Sequence, residues 1–225
     1  MTSEFEKRAL ERCMPWAGSR LRVIPIGSNI PRQPHAVEAR NEAIVYFGLI
    51  MERKGLEDFI EFSRLVRARS LEWDLSIIGK IAPGKADYCK TLMDSSRPYG
   101  VRWILDRDAN EVSELLSRAG LAYLPFPDGA SERRGSLKAA LVAGIPCITR
   151  CTEQTSQELF EAVTPAATPL AAVDLAVRLM AAIEDRRRLS RNALEYSKQF
   201  SWEKIAESHM QMYEELFAAN KNTRK

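Results

Sequence analysis

The residues best suited to chemistry lie in segment 124–149, LPFPDGASERRGSLKAALVAGIPCIT. A strand is predicted to end at Leu124, and a helix to begin near Gly135, just after two arginines. The first N–H groups of a helix lack intrahelical acceptors, glycine lets a phosphate approach, and arginine donates paired hydrogen bonds. The pattern fits a diphosphate site formed by Ser131, Arg133, Arg134, Gly135 and Ser136. A charged surface loop with a glycine-containing cap fits it equally well.

A second glycine-rich loop follows a short aliphatic run at 74–78, which predicts a strand. Residues 79–86, GKIAPGKA, nearly match the phosphate-binding pattern G-x-x-x-x-G-K-[ST], with Lys85 as the lysine. The last position of that motif holds Mg²⁺ through a hydroxyl, and here it is Ala86. We therefore favour an ordinary glycine-rich turn and keep a nucleoside triphosphatase that uses Lys85 as an alternative.

Patterns that would bind a metal are weak. Asp106 and Asp108 could hold a divalent ion beside a diphosphate, but Asp108 precedes a predicted helix and is better placed to cap it. Neither His35 nor His209 has a cysteine or carboxylate at the spacing of a metal site, and His209 falls in an amphipathic helix. We predict no metal site and no cofactor.

These candidate residues need a scaffold that brings their loops together. Short aliphatic runs predict strands at 22–26, 43–47, 74–78, 101–105, 121–124 and 145–149. Apolar residues at helical spacing predict helices at 55–69, 110–118, 170–184 and 202–217, the last capped by Ser201. The alternation predicts an α/β fold: a doubly wound, Rossmann-like parallel sheet of about six strands with C-terminal helices. Ligands of such sheets bind beyond the carboxyl ends of the strands.

The composition excludes several classes of protein. The 225 residues are 45% hydrophobic and 28% charged with a net charge of +3, which is typical of a globular chain and not of a disordered one. There is no apolar run of the ~20 residues that span a membrane, and the opening MTSEFEKRAL lacks the apolar core of a secretory signal. The four cysteines show no paired spacing, so we expect reduced thiols in a cytoplasmic protein. The basic runs at 186–188 and 221–225 predict solvated ends; we expect no nucleic-acid partner, and peripheral membrane contact stays open.

Five stretches in order resemble the C-terminal, nucleotide-sugar-binding domain of GT-B glycosyltransferases of the retaining group 1 type. They are VIPIGSNIP at 23–31, VYFG at 45–48 followed by KG at 54–55, LSIIG at 75–79, AALVAGIP at 139–146 and FSWE at 200–203. Each motif is modest alone, and their order over almost the whole chain makes the resemblance fairly specific. It implies transfer of a sugar from a nucleoside diphosphate donor, such as a UDP or GDP sugar, as in polysaccharide biosynthesis.

The resemblance also implies roles for individual residues. Lys54 would neutralise the diphosphate, together with backbone groups at Gly48 and the helix start at Gly135, and no metal is needed for this electrostatic effect. The nucleobase and ribose would lie against Gly79, Lys80, Leu105, Asp106 and Ala139. The opening loop of the cleft would be Gly27, Ser28 and Asn29. Lys138, on the body of the helix, serves as the negative control for substitutions at this site.

The sequence departs from the family pattern at three positions. The family commonly carries one glutamate that contacts the donor sugar and another that contacts the ribose, and these positions are Ser131 and Ala139. The arginine that often follows the first glycine is Leu49. Arg133 and Arg134 are expected to replace the missing phosphate partner. No catalytic residue is assigned.

The resemblance implies one donor-binding domain over residues 1–225, with peripheral helical segments at 1–20 and 200–225. The N-terminal acceptor-binding domain of the family is not found in these residues, so we expect that domain or a partner chain to be needed. The isolated chain is expected to bind a nucleotide sugar and to transfer the sugar poorly. A non-catalytic nucleotide-binding or scaffold module is the alternative.

Overall fold

Six strands form the sheet at the centre of the computed structural model, which describes residues 1–33 and 42–223. His35 lies outside the described residues. The strands are β1 (Ala43–Ile50), β2 (Asp74–Ile81), β3 (Arg102–Leu105), β4 (Leu121–Leu124), β5 (Cys147–Thr149) and β6 (Thr164–Pro165). The helices are α1 (Glu4–Cys13), α2 (Leu56–Ala68), α3 (Ala86–Ser96), α4 (Ala109–Arg118), α5 (Gly135–Val142), α6 (Gln157–Ala162), α7 (Pro169–Ala181), α8 (Ile183–Ser197) and α9 (Trp202–Thr223). Short 3₁₀ helices cover Pro15–Arg20, Arg97–Tyr99 and Lys198–Phe200.

The sheet is parallel throughout, in the order β3-β2-β1-β4-β5-β6. The chain winds outward from β1 to β3, crosses back to β4, and then winds outward in the other direction to β6. The loops after β1 and β4 therefore diverge, and a crevice opens between them at the carboxyl end of the sheet. This confirms the doubly wound α/β fold that the sequence predicts.

Aromatic packing fixes α2 against the two strands that flank this crevice. Tyr46 of β1 is buried, as expected for a parallel strand covered by helices on both faces. Phe59 and Phe62 of α2 are also buried, and the ring centroid of Phe62 lies 4.7 Å from that of Tyr123 in β4. The turn that leads from β1 into α2 is thereby anchored at its helical end.

One of the predicted strands is wrong. Residues 22–26 pair with the start of the chain instead of the sheet: the Ile24 N–H donates to the Met1 carbonyl oxygen at 2.9 Å, and the Met1 ammonium donates to the Arg22 carbonyl oxygen at 2.9 Å. The other five predicted strands are confirmed. The sixth is β6, which the sequence analysis missed because it has only two residues, one of them a proline.

The predicted helices are confirmed in position, with two errors of extent. The helix predicted at 202–217 continues to Thr223. The helix predicted at 170–184 ends at Ala181, because Ala182 leaves helical geometry at φ −111° and ψ 88° before α8 begins. Helices α3, α6 and α8 were not predicted, since α3 and α8 are rich in polar residues and α6 has only six residues. Helix α1 lies within segment 1–20, which was expected to be helical. None of the helices in the described residues combines the length and the apolar character needed to cross a bilayer.

The two predicted N-caps are confirmed. Asp108 Oδ1 accepts hydrogen bonds from the N–H groups of Asn110 and Glu111 at 2.8 and 2.9 Å, and the Glu111 carboxylate accepts from the Asp108 N–H. Ser201 Oγ accepts from the N–H of Lys204 at 3.3 Å. Asp108 therefore caps α4, which is the role that the local sequence pattern favours over metal binding.

Candidate anion-binding cleft

A cleft of about 580 Å³ opens where the strand order reverses, at the carboxyl end of the sheet. Its walls come from β1, β2, the turns after β1 and β4, the start of α5, and residues 26–30. Most residues that the sequence analysis proposed for the site line this cleft: Gly27, Ser28, Asn29, Gly48, Lys54, Gly79, Lys80, Arg133, Arg134, Gly135 and Ser136. The fold thus brings together residues that lie far apart in the sequence.

Two glycines let the backbones of β1 and β2 run side by side into the cleft. Gly48 and Gly79 face each other in the ladder, and a Cβ atom on Gly79 would lie 2.0 Å from the Gly48 carbonyl oxygen. Only glycine leaves room for that approach. The strands consequently continue past Phe47 and Ile78, so the expectation that these glycines follow the strands is corrected.

Lys54 lies in a turn whose backbone is fixed by two contacts. The Tyr46 hydroxyl donates a hydrogen bond to the Lys54 carbonyl oxygen at 3.1 Å, and burial raises the pKa of Tyr46, so the phenol stays protonated. Gly55 has φ 84°, and a Cβ atom there would lie 2.0 Å from the Pro125 carbonyl oxygen. The Lys54 ammonium itself has no hydrogen-bond or ion-pair partner among the described residues.

The start of α5 faces the same cleft with unused donors. The N-cap residue, Arg134, makes no side-chain capping bond, and within the described part of the chain the N–H groups of Gly135, Ser136 and Leu137 have no acceptor. These donors stand at the positive end of the helix dipole, where an anion is stabilised. A Cβ atom on Gly135 would meet no atom within 4 Å, so the space before it is open.

The two arginines before α5 line the cleft, and each is paired with a carboxylate. Arg134 forms an ion pair with Asp128, and its guanidinium lies 4.8 Å from the ring centroid of Phe126. Its side chain is 16% exposed, against 59% for Arg133, whose Nε lies 3.1 Å from Oε1 of Glu6. A hydrogen bond from the Thr2 hydroxyl and the charge of Arg133 lower the pKa of Glu6. Arg134 is thus held by two contacts, whereas Arg133 is tied to α1 by one exposed contact.

Lys138 lines the cleft, although the sequence analysis took it as a negative control. The residue is only 2% exposed, and its Nζ donates to the Ile26 carbonyl oxygen at 2.7 Å and lies 5.1 Å from the ring centroid of Phe200. Burial lowers its pKa, and the charge of Glu132 opposes that effect. The control is corrected because α5 turns this side chain toward residues 26–30. The sequence contained a sign that Lys138 is unusual, because it is the one charged residue of the apolar helix α5, GSLKAALV.

Residues 26–30 border the cleft, and the start of α9 holds them in place. The indole Nε1 of Trp202 donates to the Ser28 carbonyl oxygen at 3.1 Å. The indole ring lies against Gly27, where a Cβ atom would approach it to 2.8 Å. The motif FSWE, interpreted from the sequence as the start of a helix, therefore also supports a wall of the cleft.

Four residues proposed from the sequence do not line the cleft: Leu105, Asp106, Ser131 and Ala139. Both Ser131, in the loop before α5, and Ala139, on the inner face of α5, are buried, with 5% and 1% exposure. Asp106 has φ 54°, and its N–H donates to the Gly79 carbonyl oxygen at 3.0 Å, which ties the end of β3 to β2. The residues that reach the cleft from this region are instead Arg107, Ala109 and Val112.

The glycine-rich stretch 79–86 does not fold as a phosphate loop. Gly79, Lys80 and Ile81 belong to β2, and Lys85 is paired with Glu52 at 2.9 Å outside the cleft lining. Within residues 1–33 and 42–223, no group of three or more His, Cys, Asp or Glu side chains is arranged to hold a metal ion. The geometry therefore favours the turn interpretation of this stretch.

Comparisons by sequence find no matching family model and no matching curated protein. Solved structures do match. Sucrose-phosphate synthase from Thermosynechococcus elongatus superposes with a TM-score of 0.73 at 22% identity, over 97% of this chain and 58% of that chain. HepE from Anabaena, in complex with UDP and glucose, gives 0.70 at 16% identity, over 94% and 61%.

A third match concerns an isolated domain. The C-terminal domain of a group 1 family glycosyl transferase, LpcC from Francisella tularensis, gives a TM-score of 0.59 at 14% identity, over 75% of this chain and 94% of that chain. The chain has the fold of a GT-B glycosyltransferase half. This chain spans 58% and 61% of the two longer chains. The predicted resemblance in fold is thereby confirmed.

Proposed function

We propose that this GT-B half binds a nucleoside diphosphate sugar in the cleft and presents it for transfer of the glycosyl group. One juxtaposition carries the proposal: the partner-free ammonium of Lys54 and the unused N–H groups at the start of α5 border a single cleft. Among the described residues, no Asp or Glu lines that cleft. The combination suits a diphosphate, which needs both charge neutralisation and hydrogen-bond donors.

The proposed chemistry is electrostatic. When the bond between sugar and diphosphate breaks, negative charge grows on the departing diphosphate. Lys54 and the N–H groups of Gly135 and Ser136 stand on a fixed turn and a helix start, so they stabilise that charge without rearranging. We propose that donor binding needs no metal.

The paired arginines would act as a second set of donors. A guanidinium forms two parallel hydrogen bonds to a phosphate, as it does to a carboxylate. Glu6 and Asp128 are paired with Arg133 and Arg134, and a bound diphosphate would compete with these carboxylates. The more exposed Arg133 would exchange partners more readily.

Sugar transfer is proposed to need a second, acceptor-binding lobe, in the same polypeptide or in a partner. The longer chains that this GT-B half matches extend well beyond the matched part. No residue of the cleft is a clear catalytic acid or base, since no carboxylate lines it within the described part of the chain. We therefore expect donor binding, and no robust transfer, from the isolated chain; a non-catalytic nucleotide-binding module is the second candidate.

A thermal-shift panel of UDP, GDP, ADP and their common sugars tests the proposal. A ligand at 100 times its dissociation constant stabilises the folded state by about 2.7 kcal/mol, which is easily measured. We expect at least one nucleoside diphosphate to raise the melting temperature, with and without EDTA. The increase should be much smaller in Lys54→Met and kept in Lys90→Met, an exposed lysine of α3 outside the cleft lining.

The outcomes separate the candidate functions. Stabilisation by a nucleotide sugar without metal supports the donor-binding half. A shift that requires Mg²⁺ and disappears in Lys85→Met would instead favour the triphosphatase. If none of the nucleotides changes the melting temperature, the donor-binding proposal fails and a scaffold role is favoured.

A further inference from the structure

The cleft carries more positive charge than a simple nucleoside diphosphate sugar requires. Six cationic side chains line it: Lys54, Lys80, Arg107, Arg133, Arg134 and Lys138. Each of the three arginines is paired with a carboxylate, namely Glu111, Glu6 or Asp128. The three lysines have no carboxylate at ion-pair distance among the described residues. Positive charge therefore accumulates on this face of the sheet.

Lys138 is the one lysine of this set that is buried, and its ammonium has no paired carboxylate in the part of the chain that the structure describes. Burying an ammonium group without a paired carboxylate is costly. One of its N–H groups is used by the Ile26 carbonyl oxygen, and the Phe200 ring lies beside it. Within the described residues the remaining N–H groups of this ammonium have no acceptor, although the residue is 2% exposed and lies in the cleft wall.

The nearest carboxylate does not pair with Lys138. Glu132 acts on it through space, but the Glu132 oxygen Oε1 accepts hydrogen bonds from the Ser156 hydroxyl at 2.6 Å and from the Tyr196 hydroxyl at 3.0 Å. These three residues line a separate pocket, and Glu132 does not line the cleft. The donors of Lys138 thus remain available to a ligand in the cleft.

Charge counting then indicates the class of ligand. A nucleoside diphosphate sugar carries one negative charge on each of its two phosphates. Lys54 and the start of α5 suit that diphosphate, and Lys80 lies on the neighbouring strand. Lys138 would remain without a counterion if the sugar were neutral.

We propose that the donor sugar carries a carboxylate, as a uronic acid does, and that Lys138 donates a hydrogen bond to it. This inference rests on the proposed donor-binding function. Lys138 selects the acidic sugar over its neutral counterpart because a hydroxymethyl group leaves the ammonium uncompensated, whereas a carboxylate pairs with it. The same lysine keeps residues 26–30 in place through Ile26.

Matched donors test this proposal directly. UDP-glucose and UDP-glucuronate differ only in a hydroxymethyl group against a carboxylate, as do GDP-mannose and GDP-mannuronate. Titration calorimetry on the full chain is expected to show that the acidic member of at least one pair binds at least about tenfold more tightly than the neutral member. In Lys138→Met the ratio between the two members should fall to about one, while the matched control Lys90→Met keeps it.

Each result decides the proposal. Equal binding of both members, or tighter binding of the neutral one, overturns the acidic-sugar inference and leaves the proposed function intact. If free UDP or GDP binds but neither nucleotide sugar of the pair does, the acidic-sugar inference is overturned as well. If no nucleotide binds at all, both the inference and the proposed function are overturned. If Lys138 only supports residues 26–30, Lys138→Met weakens both members equally and leaves their ratio unchanged, which overturns the proposed role of Lys138. Should Lys138→Met fail to fold, the ratio in the unsubstituted chain, and its decrease with added salt, carry the test.

Discussion

Gly79 lies directly against the carbonyl oxygen of Gly48, so close that a Cβ atom on Gly79 would approach that oxygen to 2.0 Å. This contact lets β1 and β2 continue as a pair beyond the rest of the sheet and form a backbone wall of the cleft. The glycine pair serves the fold as well as the site. Substitutions at glycines of the cleft therefore separate structural from binding roles.

Gly79→Ala is expected to destabilise the protein. The added methyl group would collide with backbone, which cannot move as a flexible side chain can, and overpacking of this kind costs about 1–3 kcal/mol. Urea denaturation measures the free energy of unfolding. A substitution as stable as the parent would show that the two strands are not held together at this point.

Gly135→Ala is expected to keep or raise stability while weakening nucleotide binding. A Cβ atom on Gly135 meets nothing within 4 Å, and alanine in a helix is more favourable than glycine by up to about 1 kcal/mol. The new methyl group would occupy the space in which we place the phosphate. The same denaturation experiment with calorimetry checks both effects, and unchanged affinity would remove the α5 start from the phosphate site.

Lys54→Gln is expected to reduce nucleoside diphosphate affinity by about 10- to 100-fold, because a charge-assisted hydrogen bond contributes about 1.5–3 kcal/mol. The melting temperature without ligand should change little, since the ammonium has no partner among the described residues. Calorimetry measures the affinity, with Lys90→Gln as the control. An effect of the same size at Lys90 would mean that overall charge, and not the site, determines binding.

Glu6→Gln is expected to change the response of stability to acid. The Thr2 hydroxyl and Arg133 lower the pKa of Glu6 below its ordinary value of 4.5. The unfolded chain therefore binds the proton more readily, so this group stabilises the fold above that value and loses its contribution as the pH falls. Between about pH 6 and about pH 3 the melting temperature should fall less in Glu6→Gln than in the parent. An identical fall in both proteins would contradict the stabilisation of the Glu6 carboxylate by Thr2 and Arg133.

Local sequence pattern predicts much of this fold. The strand at residues 121–124 agrees with β4 at both ends, since its apolar run is buried on both faces and bounded by Gly120 and Pro125. Asp108 and Ser201 are predicted as caps because capping depends on neighbours in the sequence. Residues 22–26 have the composition of a strand, but their partner is Met1, a long-range pairing that no local pattern contains.

The cleft was harder to predict than the fold. Glycine and lysine positions in the turns after strands follow from the rule that ligands bind at the carboxyl ends of a parallel sheet. The direction of a helical side chain depends on how the helix is rotated against the sheet, and the rotation of α5 buries Ala139 while it turns Lys138 toward Ile26. The burial of Ser131 depends on the path of the loop before α5, which no local pattern contains. The carboxylate partner of Arg133, Glu6, lies more than a hundred residues away in the sequence, and only the folded chain reveals it.

The most direct test of the donor-binding cleft is an amide NMR titration of the isotopically labelled chain with UDP and with GDP. The account predicts large, saturable shifts of the Gly135, Ser136 and Leu137 amides, because their unused N–H groups would bond the phosphates. In Lys54→Gln the same shifts should need about 10- to 100-fold more nucleotide. Amide signals of the α5 start that stay unchanged while the nucleotide binds elsewhere, or no binding by either nucleotide, would contradict the account.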